Sequence, residues 1–206
     1  VPGPVADWED DAVFEKILTV LNQRMARGDV PINLFATTLV THAYLYTGQE
    51  KYKNWVLDYF DAWQERTLAN NGIVPDNIGL SGQIGEYMDG KWWGGYYGWR
   101  WPHGGTVLLE ALTVAGQNAM LLTGDDRMLD LARSQLDHLW ELRQKIDGEW
   151  QIPHRYNDSG WNNFRPMSPE LPVQLWCMSG SASDADRILR IGNPDRLNHA
   201  FSARGG

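Results

Sequence analysis

Two short segments of this chain match each other, and they constrain its fold more than any other feature. Tyr44-Leu45-Tyr46-Thr47-Gly48-Gln49-Glu50-Lys51 and Met120-Leu121-Leu122-Thr123-Gly124-Asp125-Asp126-Arg127 each close an apolar stretch with Thr-Gly and restart on an acidic residue. Glycine suits the left-handed residue that ends a helix, and an acid suits the positive end of the next one. The pattern therefore predicts helix, tight turn, helix, twice over. Ile32–Tyr46 and Thr106–Leu122 have little polar face, so both are expected to be buried on most sides. Glu50–Leu68 carries Tyr52, Trp55, Val56, Tyr59, Phe60 and Trp63 on one stripe, and Asp126–Lys145 turns Met128, Leu129, Ala132, Leu136, Leu139 and Trp140 inward, so each keeps one wet face. A first helix is expected over Asp10–Arg27. A degraded third copy starts at Leu175-Trp176-Cys177-Met178-Ser179-Gly180, with Ala182–Ile191 as its outer helix. The expectation is an all-α fold of about six or seven helices, arranged as hairpins in an inner and an outer layer. The domain spans 1–192, and a polar, poorly ordered tail occupies 193–206.

Each second helix is followed by a long segment, Asn70–Gly105 and then Asp147–Pro169. The repeat places both at the same rim, where they are expected to meet and form the main cleft. Read as loops, they are long enough to be functional or disordered, and their richness in rings argues against disorder. The first contains KWWGGYYGWRWPHGG, Lys91 to Gly105, in which Gly94, Gly95, Gly98 and Pro102 break any helix. Large rings on a loop offer flat faces for weakly polar ligands such as sugars. The same rings would also serve as a buried plug that closes a helical domain.

A formal charge of −8 argues against a partner bound through nucleic-acid phosphates, yet leaves room for a local arginine pocket. The single cysteine, Cys177, excludes an intrachain disulfide and a CxxC metal site. No run approaches the length of a membrane span, so no membrane partner is expected. The chain begins Val1-Pro2-Gly3-Pro4, which reads as a mature or truncated end; the single cysteine leaves the compartment open, and an extracellular or periplasmic protein is the expectation.

Helical hairpins with Thr-Gly turns, and Trp/Gly-rich loops gathered at one rim, resemble the (α/α) toroid enzymes that act on polysaccharides. These include polysaccharide lyases and glycoside hydrolases, the unsaturated glucuronyl hydrolases among them. The resemblance covers roughly Asp10 to Ile191. Gly72–Glu86 with the aromatic segment behind it looks like a motif of uncharacterised bacterial proteins of this kind. The resemblance implies a carbohydrate substrate. It also implies an incomplete ring, since complete toroids use about twice as many helices. Either the chain is a fragment, or a remaining domain or partner chain completes the toroid.

Three functions follow from this reading. In the first, an acidic, uronate-containing saccharide is cut by β-elimination. That reaction needs a holder for the sugar carboxylate, a base for the C5 proton and an acid for the leaving oxygen. Tyr97, Arg100, His103, His154 and Tyr156 are the catalytic candidates. Asn77, Glu86, Trp92, Trp93, Tyr96 and Trp99 are the substrate-binding candidates on the first segment, together with Trp101. Asp158, Trp161 and Asn163 are those on the second. In the second function, a carboxylate pair drawn from Asp76, Glu86, Asp89 and Asp158 hydrolyses a glycosidic bond, although all four also suit turns. In the third, the chain is a non-catalytic carbohydrate-binding subunit. The histidines show no metal-binding spacing, and no metal or cofactor is expected.

Overall fold

The structure is a computed structural model that describes residues 10–22, 27–100, 102–192 and 197–198. Of the expected tail, only 197–198 fall among them. Seven α-helices carry the described chain: α1 Asp11–Leu21, α2 Ala36–Thr47, α3 Glu50–Ala69, α4 Gly105–Thr123, α5 Asp130–Glu141, α6 Glu170–Ser179 and α7 Ala182–Leu189. Short 3-10 turns precede α2 (Pro31–Phe35) and α5 (Asp126–Leu129).

The repeat occurs three times, with the same hydrogen bonds each time. Gly48, Gly124 and Gly180 are left-handed, with φ of 64°, 74° and 61°. Each glycine N–H donates to the carbonyl four residues back, on Tyr44, Met120 and Trp176. The hydroxyl before each glycine accepts from the N–H after it: Gln49 to Thr47, 3.3 Å; Asp125 to Thr123, 3.2 Å; Ser181 to Ser179, 3.1 Å. The chain thereby reverses at the same place in each unit, and α2 packs on α3, α4 on α5 and α6 on α7. The first helices of the units also touch in sequence. Asn118 Nδ2 donates to Thr37 and Thr38 Oγ1 at 3.0 Å, joining α4 to α2, and Gln174 Nε2 donates to Gln117 Oε1 at 2.8 Å, joining α6 to α4.

Helix α4 is the centre of the domain. It is long and apolar enough to cross a membrane by length and composition, but ten of its nineteen residues are buried among Phe60, Trp63, Leu129, Leu139 and Leu175. Fully burying one such leucine stabilises the fold by roughly 1.5–3 kcal/mol. The third unit is locked on by charge. Asp184, with no exposure, accepts from Arg133 on α5 and from Arg187, Ser179 and Ser181.

Three expectations are corrected. Helix α2 is not buried on most sides: Leu39 is 74% exposed and Tyr46 91%, because among the described residues its main helical neighbours are α3 and α4. The helix expected to run to Lys145 ends at Glu141, and the segment beyond it is not a loop. Strands β1 Gln144–Ile146, β2 Glu149–Asn157 and β3 Gly160–Pro166 form an antiparallel sheet in that order, so the fold is helical with one small sheet. Asp147 and Gly148 join β1 to β2 with φ of 51° and 84°, the conformation that Asp-Gly favours in a two-residue hairpin turn.

Candidate functional site

The aromatic segment is folded around one buried carboxylate. Asp76 has no exposure, and its Oδ1 accepts from Gly95 N–H at 2.8 Å while its Oδ2 accepts from Trp99 at 2.7 Å and Gly94 at 3.1 Å. A Cβ on Gly98 would lie 2.0 Å from Asp76 Oδ2, and one on Gly95 2.0 Å from the Asp76 carbonyl oxygen. These two glycines are there for close approach, since neither has a left-handed backbone. The residues just before Asp76 are held as firmly. Val74 N–H donates to Gln135 Oε1, and the Val74 carbonyl accepts from Trp99 Nε1 at 2.8 Å. These bonds satisfy the Asp76 carboxylate and the Val74 backbone within an otherwise irregular segment.

The hairpin β2–β3 closes over this segment. Tyr156 N–H donates to the Trp99 carbonyl at 3.2 Å. The Tyr156 ring lies 4.6 Å from Trp92, 5.7 Å from Trp93 and 5.0 Å from Trp161, and Trp161 stands edge-on to Trp99 at 5.0 Å. The two long segments meet, as the repeat predicts. Much of the ring cluster is also the plug: Trp99 is 1% exposed and Trp93 7%.

Beside the cluster is a cavity of about 590 Å³, within the range of small-molecule sites. Tyr96 and Arg100 come to it from the first segment, and Arg155, Tyr156, Asn157 and Asn162 from the hairpin. Gly94 and Gly95 form part of its floor, and Val20 and Leu21 of α1 form an apolar wall. Arg155 Nη2 donates to the Pro102 carbonyl at 3.0 Å, and the Arg100 guanidinium lies 5.9 Å from the Trp93 ring. Among the described residues no carboxylate lines the cavity, although acids outnumber bases in the chain.

The expected catalytic set is divided by this geometry. Arg100 and Tyr156 line the cavity. His103 does not; it is exposed and stacks on Tyr97 at 5.3 Å, and Tyr97 in turn stands edge-on to Tyr96 at 4.3 Å. The Tyr96–Tyr97 hydrogen bond raises the Tyr96 phenol above its ordinary value. His154 does not line the cavity; its Nδ1 lies 3.4 Å from Thr106 Oγ1 in the first turn of α4. Burial, then the charges of Arg165 and Arg155, hold it below the usual histidine range.

Several binding candidates have structural tasks instead. Glu86 accepts from the N–H and hydroxyl of Ser81, which holds its carboxyl below the usual range. Asp158 pairs with Lys91 at 3.0 Å. Asn163 is left-handed, with φ of 55°, and accepts from Arg165. Asn77 is 1% exposed, lines no cavity described here, and neither side-chain atom makes a hydrogen bond within the chain. Trp101 lies outside the described residues. Of the hydrolase candidates, Asp76 is engaged by the loop and Asp89 stands in a left-handed turn with φ of 56°. Among the described residues no group of three His, Cys, Asp or Glu could hold a metal. Val20, Leu21, Asn157 and Asn162 are additions that the sequence reading did not single out. Asn157 and Asn162 carried a readable signal, standing on either side of the two-residue turn Asp158-Ser159 between two ring-bearing stretches.

No curated protein and no solved structure matches the chain. The model of one family, described as a domain of unknown function (DUF8034), matches residues 2–151 and 143–201, and the chain belongs to that family.

Proposed function

We propose that this chain is a carbohydrate-active enzyme domain that binds an acidic saccharide in the cavity beside Tyr156 and cleaves it by β-elimination. One observation carries the reading. In a chain of net charge −8, the cavity of about 590 Å³ is lined by two guanidiniums, two phenols and two amides and, among the described residues, by no carboxylate. Arg155 and Arg100 suit a uronate carboxylate, since a planar guanidinium matches it in a bidentate fork. Asn157 and Asn162 suit sugar hydroxyls and the developing enolate charge. The Tyr156 phenol is the proton carrier. In this step the Tyr156 oxygen, as phenolate, takes the C5 proton, the C5–H electrons form the C4=C5 double bond as the C4–O bond breaks, and Tyr156 returns that proton to the leaving oxygen.

Glycoside hydrolysis is the second reading, and its four loop carboxylates are less suited to it because they are engaged elsewhere. A non-catalytic binding subunit is the third. The three hairpins in sequence support an incomplete (α/α) toroid, to be completed by a remaining domain or a partner chain, in an extracellular or periplasmic protein. The exposed far side of α2 supports such a neighbour.

Tryptophan fluorescence tests the binding, because Trp92 and Trp93 pack against the cavity residue Tyr156. Polygalacturonate, glucuronan and alginate are the probes, each compared with its carboxyl-reduced form. Saturable quenching by at least one acidic polymer, lost on carboxyl reduction and weakened by Arg155→Ala, is expected. Equal binding of the reduced forms would overturn the reading.

A further inference from the structure

The cavity continues past Arg100. A second hollow of about 150 Å³ lies on the far side of that side chain, lined by Tyr87, Asp89, Lys91 and Trp93 as well as by Arg100 itself. Val20 of α1 borders both hollows. The wall between them is thin. A Cβ on Gly94, in the floor of the larger cavity, would stand 2.9 Å from Met88 Cε, which lines the smaller. The Arg100 and Met88 side chains are therefore part of the partition. Both are long and unbranched, so they can change rotamer without any backbone movement.

The two hollows differ in charge. The larger has two guanidiniums and no carboxylate. The smaller sets Asp89 against Lys91 and Arg100, and Lys91 is already paired with Asp158 at 3.0 Å. Donors and acceptors in balance suit hydroxyl groups, which both give and take hydrogen bonds, better than they suit an anion. The Trp93 ring lies under both cations, 4.8 Å from Lys91 Nζ and 5.9 Å from the Arg100 guanidinium, and so ties the two hollows to one scaffold.

We propose that the two hollows are adjoining subsites of one groove that takes a heterosaccharide, with an acidic unit in the larger and a neutral, hydroxyl-bearing unit in the smaller. The proposal rests on the acidic-saccharide reading of the larger cavity. Arg100 then lies at the junction of the two units, and Lys91 shifts from Asp158 to a sugar hydroxyl.

Calorimetric titration of the full chain with three ligands tests this: methyl glucuronide, glucuronosyl-glucose and the neutral disaccharide cellobiose. Neither uronate carries a sugar on its O4, so neither is cleaved by elimination. Glucuronosyl-glucose should bind at least about ten-fold more tightly than methyl glucuronide, a gain of about 1.4 kcal/mol. Lys91→Ala should remove most of that gain and leave methyl glucuronide binding unchanged, and Arg155→Ala should weaken both. Equal affinity for the two acidic ligands, or a gain that survives both Lys91→Ala and Asp89→Asn, would overturn the neutral subsite. If cellobiose binds in a Lys91-dependent way while no ligand responds to Arg155→Ala, the acidic assignment falls and the neutral subsite stands. If none of the three binds, both fall.

Discussion

A methyl group at Gly98 is the sharpest probe of the loop that builds the site. Gly98 does not have a left-handed backbone, so alanine adds no conformational strain there. What the methyl meets is the Asp76 carboxylate, 2.0 Å from Oδ2 and 2.3 Å from Cγ. Either the loop or Asp76 must move, and Asp76 Oδ2 holds the N–H groups of Trp99 and Gly94. Hydrogen bonds to a charged acceptor contribute roughly 1.5–3 kcal/mol each, so Gly98→Ala should cost about 3–5 kcal/mol once some relaxation is allowed. Asp76→Ala leaves three buried N–H groups without their acceptor and should cost about as much. The two losses should not add. With the carboxylate gone the two closest contacts disappear, but the Cβ of residue 76 still stands 2.5 Å from the new methyl, so Gly98→Ala in that background should cost about 1–2 kcal/mol. Urea unfolding followed by tryptophan fluorescence on all four members of the cycle gives the coupling, expected at about 1–4 kcal/mol. Additive losses would show that Asp76 and Gly98 are not in contact and that the loop is organised some other way.

Two further predictions concern charge. Asp184→Ala strands Arg133 and Arg187 without their buried anion and should cost about 3–5 kcal/mol in the same unfolding assay. Burial alone would raise the Asp184 carboxyl, but hydrogen bonds from Arg133, Ser179 and Ser181 and the Arg133 charge outweigh it and hold the group below 3.8. Its contribution is therefore full above the ordinary carboxylate value and is lost as the pH falls through and below it; a flat profile down to about pH 2 would refute this. His154, held below 6.5 chiefly by burial, is neutral at pH 7. Stability should fall as the pH drops from 6.5 toward its lowered value, because the unfolded chain takes up that proton first, and His154→Gln should flatten that part of the profile. An NMR titration placing His154 at or above 6.5 would contradict the burial argument.

The hairpin repeat was legible because a left-handed glycine and a flanking hydroxyl are local requirements, written in adjacent residues. The third copy, Ser179-Gly180-Ser181, keeps the chemistry while losing the threonine. The sheet was missed although Asp147-Gly148 is a strong hairpin signal and Trp150, Ile152, His154 and Tyr156 alternate with other residues. Pro153 in the middle strand and the asparagines around the second turn made the stretch read as a loop. The burial of α2 was overestimated because an apolar helix says nothing about how many neighbours it has. At the site, Arg100 and Tyr156 could be picked out by residue type and position, and the meeting of the two segments followed from the repeat. The withdrawal of His103 to Tyr97 and the task of Asp76 were not legible. Both depend on where glycines let the backbone turn, and spacing alone does not specify that.

The central claim is that Tyr156 moves a proton on a uronate held by Arg155 and Arg100. It is tested most directly by ultraviolet absorbance during incubation of the chain with polygalacturonate, glucuronan or alginate, because elimination creates a double bond conjugated to the carboxylate. The account predicts rising absorbance with one of these polymers, reduced by at least about a hundred-fold in Tyr156→Phe while quenching by the same polymer is retained. New reducing ends without that absorbance, or full activity in Tyr156→Phe, would contradict it.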